Sequence, residues 1–230
     1  MDTTTIIIVA VVAVLVIVGI IIRLKGGSPA DAEELYKTGL SLYKRGRLDE
    51  SIKEYKKAAK ANPNDTRSLY GMGMAFASKG NENKAISSYQ EVVKIEPENI
   101  DAYFQLGIVY TKKGMKDEAI SAFKETVRIN PKDAKYFNFL GSALHEAGQI
   151  SGAITEYKKA LALAPNNPST LERLGVALYD KGELRDALTA FDSFLRLTPS
   201  QSSPKAQSVN MMKDAILNKM KEDKNKKSST

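Results

Sequence analysis

Residues Tyr157 to Pro168 read YKKALALAPNNP, and a near twin, YKKAAKANPND, begins 102 residues earlier at Tyr55. Each stretch closes an amphipathic helix and then stops it at a proline turn. The separation is three times 34, and stepping by 34 links Pro63, Pro97, Pro131, Pro165 and Pro199. The same step links Gly39, Gly73, Gly107, Gly141 and Gly175, and also Gly46, Gly80, Gly114, Gly148 and Gly182. An aromatic column runs through Tyr55, Tyr89, Phe123, Tyr157 and Phe191, and a small one through Ser51, Ala85, Ala119, Ala153 and Ala187. Five columns in register over five copies define an internal repeat.

Within one unit the pattern gives two helices. In the third copy Tyr103, Leu106, Gly107 and Tyr110 share one helical face, Lys113-Gly114 breaks the chain, and Asp117 opens a second helix carrying Ala119, Ile120, Phe123 and Val127. Asn130-Pro131 stops it. So short a pair cannot bury its apolar face alone, so the pairs must stack on one another. The glycine in the first helix and the alanine in the second allow close backbone approach, and the glycine between helices allows a tight reversal.

These columns resemble the tetratricopeptide (TPR) pattern. Leu69, Met72, Gly73, Phe76, Ala85, Tyr89 and Pro97 carry it in the second copy, and Tyr103, Leu106, Gly107, Tyr110, Ala119, Phe123 and Pro131 in the third. Leu35, Leu69, Tyr103, Phe137 and Leu171 stand where the family prefers Trp, and the first copy has Thr38 for Leu and Ser51 for Ala. The resemblance implies an all-α TPR solenoid of five helix-turn-helix repeats, at 32–65, 66–99, 100–133, 134–167 and 168–201. Beyond them, Ser203-Pro204 starts a helix whose apolar stripe is Val209, Met212, Ile216 and Met220. It is expected as a capping helix over 202–222, followed by a disordered basic tail over 223–230.

The first thirty residues are a separate object. Ile6 to Ile22 is a run of seventeen residues with no polar side chain, spanning roughly 26 Å as a helix. With no polar stripe it is expected to be a transmembrane anchor over 1–25, joined by a linker at 26–31. A cleaved secretory signal is the competing reading, favoured by Ala30-Asp31-Ala32. Against it stand the length of the run, the absence of a preceding Lys or Arg, and Arg23 and Lys25 where a neutral cleavage region belongs. Those two basic residues also set the expected orientation, with the N-terminus outside and the repeats cytoplasmic.

Composition narrows the function. The net charge of +7 is uneven: residues 32–201 carry 25 Lys/Arg against 22 Asp/Glu, whereas 202–230 carry 7 against 3. Basicity lodged in a tail argues against a nucleic-acid groove. With no cysteine and a single histidine, His145, there is no thiol chemistry and no Cys/His metal cluster. Gly71-Met72-Gly73 with Gly80 follows no strand and precedes no Gly-Lys-Ser/Thr, so it is repeat architecture rather than a phosphate loop. His145 has no nucleophile arranged around it. No enzyme activity, cofactor, metal or small-molecule substrate is expected.

A partner protein is. The packing stripe of each first helix leaves a second face: Tyr36, Leu40 and Tyr43; then Tyr70, Met74 and Ala77; then Phe104, Ile108 and Thr111. The fourth copy offers Asn138, Ser142 and His145, the fifth Glu172, Val176 and Tyr179. By the resemblance these line a concave groove, aromatic and aliphatic in its first three copies and polar in the last two. It suits an apolar peptide segment such as an amphipathic helix. The alternative is that the same stripe only packs neighbouring first helices. The chaperone-binding clamp of the family is absent, since Tyr36, Leu40, Gly71, Arg67 and Gln105 stand at its positions. On the second helix of copy one, Lys53, Lys56, Lys57 and Lys60 share an outer face that could meet anionic lipid or simply be solvated, with Glu50 and Glu54 diluting it. The expected function is a membrane-anchored adaptor or scaffold. The alternatives are an exported TPR protein assisting envelope assembly and an organelle import-receptor-like protein.

Overall fold

The computed structural model describes residues 28–198 and 203–228, together with residues 11, 12 and 14. Eleven helices and no strand occur among them: α1 (Pro29–Lys44), α2 (Leu48–Ala61), α3 (Thr66–Ser78), α4 (Glu82–Ile95), α5 (Ile100–Lys112), α6 (Lys116–Ile129), α7 (Ala134–Glu146), α8 (Ile150–Leu163), α9 (Pro168–Lys181), α10 (Leu184–Leu197) and α11 (Pro204–Ser228). This is the all-helical repeat fold of the solenoid class that the 34-residue period predicts.

The chain forms two compact units, Met1–Val109 and Tyr110–Thr230, with the boundary inside α5. In the first, α1 packs on α2, α2 on α3 and α3 on α4, and the first helices α1 and α3 also touch. In the second, α6 packs on α7, α7 on α8, α8 on α9 and α9 on α10, while α11 lies against α10.

Punctuation is periodic as well. Asp65, Asn99, Asp133 and Asn167, each two residues past a proline and 34 apart, accept a hydrogen bond from a first-turn backbone N–H of the following helix. The first copy differs. Ser28 caps α1 through a reciprocal box with Asp31, so α1 starts three residues before the expected repeat boundary and the end of the expected 26–31 linker is helical. Each first helix ends at Gly46, Gly80, Gly114, Gly148 or Gly182, all with φ between +72° and +85°. There the next N–H reaches back five residues, as Asn81 N does to Phe76 O at 2.9 Å.

The core is the aromatic column seated on the glycine column. A Cβ on Gly73 would lie 2.5 Å from the Tyr89 ring, and one on Gly39 or Gly141 would lie 2.7 Å from Tyr55 or Tyr157. Only glycine permits that approach. Tyr55, Tyr89, Phe123, Tyr157 and Phe191 are all at most 2% exposed. Gly71 has a role that the column pattern does not announce: it abuts the other side of Tyr55, 2.6 Å from where its Cβ would be. The Gly71-Met72-Gly73 run is thus helical packing on α3.

Two terminal expectations change. The tail expected to be disordered from 223 is helical to Ser228, and Ala206, Val209 and Ile216 are its buried contacts. Among the described residues no helix is long and apolar enough to cross a membrane. The run Ile6–Ile22, apart from Val11, Val12 and Val14, lies outside the described residues.

Candidate partner-binding surface

In the first unit the residues read as groove-lining gather on the first helices, but packing claims them to different degrees. Tyr36 is half-buried, its ring 5.8 Å from Tyr55 and tilted by 40°, with the Arg67 guanidinium 4.9 Å above it. Asp65, which caps the helix carrying Arg67, grips its guanidinium, and Glu33 on α1 does so at 2.8 Å. Those contacts hold the Asp65 and Glu33 carboxyls below their ordinary range, chiefly through the hydrogen bonds from Arg67. Tyr70 lies 5.5 Å from Tyr89, is hydrogen-bonded to Gln105, and is pushed up in pKa by burial. Tyr43 hydroxyl meets Ser78 Oγ at 3.1 Å. Leu40, Met74 and Ile108 are half-buried, whereas Phe104 is buried at 7% exposure and offers little to a ligand. The surface left open is therefore centred on Tyr36, Leu40, Tyr43, Tyr70 and Met74.

The second unit presents a polar counterpart. His145 is half-buried and its Nε2 lies 2.8 Å from Asp180 Oδ2. Tyr179 is 38% exposed, but Asn138 is only 9% exposed and its Oδ1 has no hydrogen-bond partner. Burial raises the pKa of the Tyr157 hydroxyl, and Ser142 first and Arg173 after it oppose that rise. Glu172 is tied to Lys205 of α11 at 2.8 Å.

One regularity was invisible to columns spaced by 34. Side chains of successive first helices meet at a step of 35: Tyr43 with Ser78, Tyr70 with Gln105, and His145 with Asp180. The extra residue is the slip between facing positions of adjacent helices. Ser78 and Asp180, absent from the expected surface, enter it by this step, while Gln105 and Arg67, expected only as clamp positions, enter it by the step and by stacking on Tyr36.

The lysines of α2 are all exposed, and Lys57 is held by Glu54 at 2.7 Å. No group of three or more His, Cys, Asp or Glu suited to a metal ion occurs among the described residues.

Comparison with known proteins agrees with this geometry. The family model described as TPR repeat matches residues 39–80, 73–114 and 141–182, and the one described as tetratricopeptide repeat matches 100–133. No curated protein matches the chain in sequence. Among solved structures it is similar to MamA, residues 41 to the end, from Desulfovibrio magneticus RS-1, with TM-score 0.69, 26% identity, and 75% of this chain and 98% of that one covered. A second MamA structure gives TM-score 0.66 and 28% identity, covering 69% and 93%. YrrB, described as a TPR protein with an unusual peptide-binding site, shares the fold at TM-score 0.69 and 20% identity, covering 79% and 92%. With repeat models matching more than half of its length, the chain belongs to the tetratricopeptide repeat family.

Proposed function

We propose that this protein is a membrane-anchored interaction scaffold whose first helices hold a segment of a partner protein. One observation carries the reading: Tyr36, Leu40, Tyr43, Tyr70 and Met74 stand on successive first helices as half-buried apolar and aromatic side chains that the repeat core does not consume. Aromatic residues so placed, flanked by the polar Arg67, Ser78 and Gln105, have the make-up of an interface centre. Such a surface works by binding alone, so no catalytic step is assigned.

Anchoring is supported by the seventeen apolar residues of Ile6–Ile22, and a cytoplasmic repeat array by Arg23 and Lys25 beyond them. The array then acts at the membrane face, where confinement raises the effective concentration of partners that share the surface.

A photo-crosslinking residue placed at Tyr70 or Met74 in cells, followed by mass spectrometry, identifies the segment. Affinity of the purified segment then tests it. Tyr70→Ala should weaken binding by about 2 kcal/mol as an anchor, and Lys116→Ala, on α6, should leave it unchanged. Crosslinks scattered over unrelated proteins, or a segment indifferent to Tyr70→Ala, would refute the surface. A reporter fused at Thr230 that scores as exported would refute the orientation.

A further inference from the structure

The first repeat departs from the columns on one face. Glu34 stands where later copies place Ser68, Ala102, Tyr136 and Thr170, all buried. Ser41 stands where Ala75, Val109, Ala143 and Ala177 are buried, and Thr38 where Leu106, Leu140 and Leu174 are buried and Met72 is half-buried. Lys37 opens the column whose later members meet the second helix of the preceding hairpin. In that column Gly71 abuts Tyr55, Phe139 lies 5.7 Å from Phe123, and the Arg173 charge acts on Tyr157. Among the described residues no hairpin precedes α1, and Glu34, Lys37, Thr38 and Ser41 are all exposed. The face that another hairpin would cover is polar and open.

An open end needs polarity for solubility, but solubility does not choose a sign. Lys37, Leu40, Ser41, Lys44 and Arg45 line a groove of about 350 Å³. Glu33 shares Lys37 at 3.4 Å but is also held by Arg67 at 2.8 Å, and Asp31 is spent on the Ser28 cap. No ion pair holds Lys44 or Arg45 among the described residues. Nor does the end of α1 call on their side chains, since the N–H groups of Arg45, Gly46 and Arg47 already close the carbonyls of Ser41, Leu42 and Tyr43. Glu34 is the carboxylate left exposed beside them, and Glu34, Lys37, Lys44 and Arg45 together carry a net +2. Position selects the anion. Between the end of the apolar run at Ile22 and the start of α1 at Pro29 the chain reaches at most roughly 24 Å. A repeat array tethered that closely meets the headgroup layer first with α1. We propose that the exposed face of α1 docks on an anionic bilayer, with the phosphate of an acidic phospholipid seated among Lys37, Ser41, Lys44 and Arg45. The inference rests on the anchoring reading and adds to it the surface by which the first repeat lies against the membrane. The Ser41 hydroxyl donates to a phosphate oxygen, and the three cations neutralise the headgroup. Tyr36 and Tyr43, about 100° round the helix from Lys37 and Lys44, stay available to a protein partner.

The chain has no cysteine, so Thr38→Cys accepts a single fluorophore on the proposed face. Full-length protein is reconstituted into vesicles of phosphatidylcholine, alone or mixed with phosphatidylglycerol, each carrying a headgroup spin-labelled lipid as quencher. The probe should be quenched in the mixed vesicles and far less in the neutral ones. A probe at Ser87→Cys, exposed on α4 of the same unit, should be quenched in neither. Lys37→Gln should lower the ratio of docked to undocked protein about fivefold, and Lys44→Gln with Arg45→Gln about thirtyfold. Circular dichroism checks that the variants fold, and Lys37→Gln keeps the test usable if the change at the end of α1 disturbs the helix. Suppose the protein resists alkaline extraction from the vesicles. Equal quenching with and without phosphatidylglycerol, or indifference to the glutamine variants, then overturns the proposal and leaves the anchor standing. So does release of the probe by millimolar inorganic phosphate at constant ionic strength, which would mark a site for free anions. A protein that alkaline carbonate extracts loses the anchor, and the proposal falls with it.

Discussion

Gly73→Ala isolates the contact on which the core depends. In an exposed helix interior the change would stabilise by about 1 kcal/mol through propensity. Here the new methyl would sit 2.5 Å from Tyr89 Cε1 and 2.8 Å from Cδ1 and Cζ, about 1 Å inside ordinary contact. The ring is 0% exposed and has nowhere to retreat. Overpacking of that kind costs about 3 kcal/mol, leaving a net loss of about 2 kcal/mol. Gly80→Ala is the matched control: nothing lies within 4 Å of its Cβ position, and the residue suffers only from its φ of +72°, worth about 1 kcal/mol. Urea unfolding followed by circular dichroism measures both. Tyr89→Leu, which frees space beneath position 73, should partly rescue Gly73→Ala and do nothing for Gly80→Ala, a coupling that a double-mutant cycle resolves. If Gly73→Ala is as stable as the parent, or if its cost adds simply to that of Tyr89→Leu, the ring-on-glycine account is refuted.

Further expectations follow from other contacts. Burial pushes the Tyr55 hydroxyl up to about 12 and that of Tyr89 higher still. A raised folded-state value stabilises the protonated form, so this contribution is intact below pH 10 and is lost as the pH climbs through 12; Tyr55→Phe should flatten that alkaline decline in the urea midpoint. Asn167→Ala removes the oxygen that accepts from Thr170 N at 3.1 Å and should cost about 1 kcal/mol in the same assay. Deleting residues 204–230 uncovers the α10 face against which Ala206 and Ile216 are fully buried. It should raise hydrogen exchange in α9 and α10 while leaving α1–α3 protected, as nearest-neighbour stability requires; uniform loss of protection would contradict it.

The period and the paired helices were legible in the sequence because each repeats at one fixed interval, whereas a glycine column marks a close approach without telling that the ring of Tyr89 rather than a backbone fills it. The caps Asp65, Asn99, Asp133 and Asn167 stand two residues after Pro63, Pro97, Pro131 and Pro165 but alternate in residue type, so no single-residue column marks them. Other features followed rules the columns do not encode. The meeting of Tyr43 with Ser78 needs the slip between facing helices, and the burial of Phe104 depends on how much of the second face the packing takes. The helix beyond Glu222 was not expected, because a lysine-rich segment buries almost nothing. Extending an existing helix needs no new nucleus, and Lys and Glu are good helix formers. The unpaired Asn138 Oδ1 was out of reach, since an unmade bond leaves no trace in residue spacing.

The column occupied by Gly71, Phe139 and Arg173 bears on how such an array can be rearranged. Each of these residues faces the aromatic side chain of the hairpin before it: a glycine against Tyr55, a phenyl ring against Phe123, a cation beside Tyr157. The two glycine columns would let one unit be exchanged for another like bricks of a single mould. This one cuts each brick to its predecessor, so shuffled, duplicated or excised units would meet mismatched seams, and the order of the copies is written into the molecule.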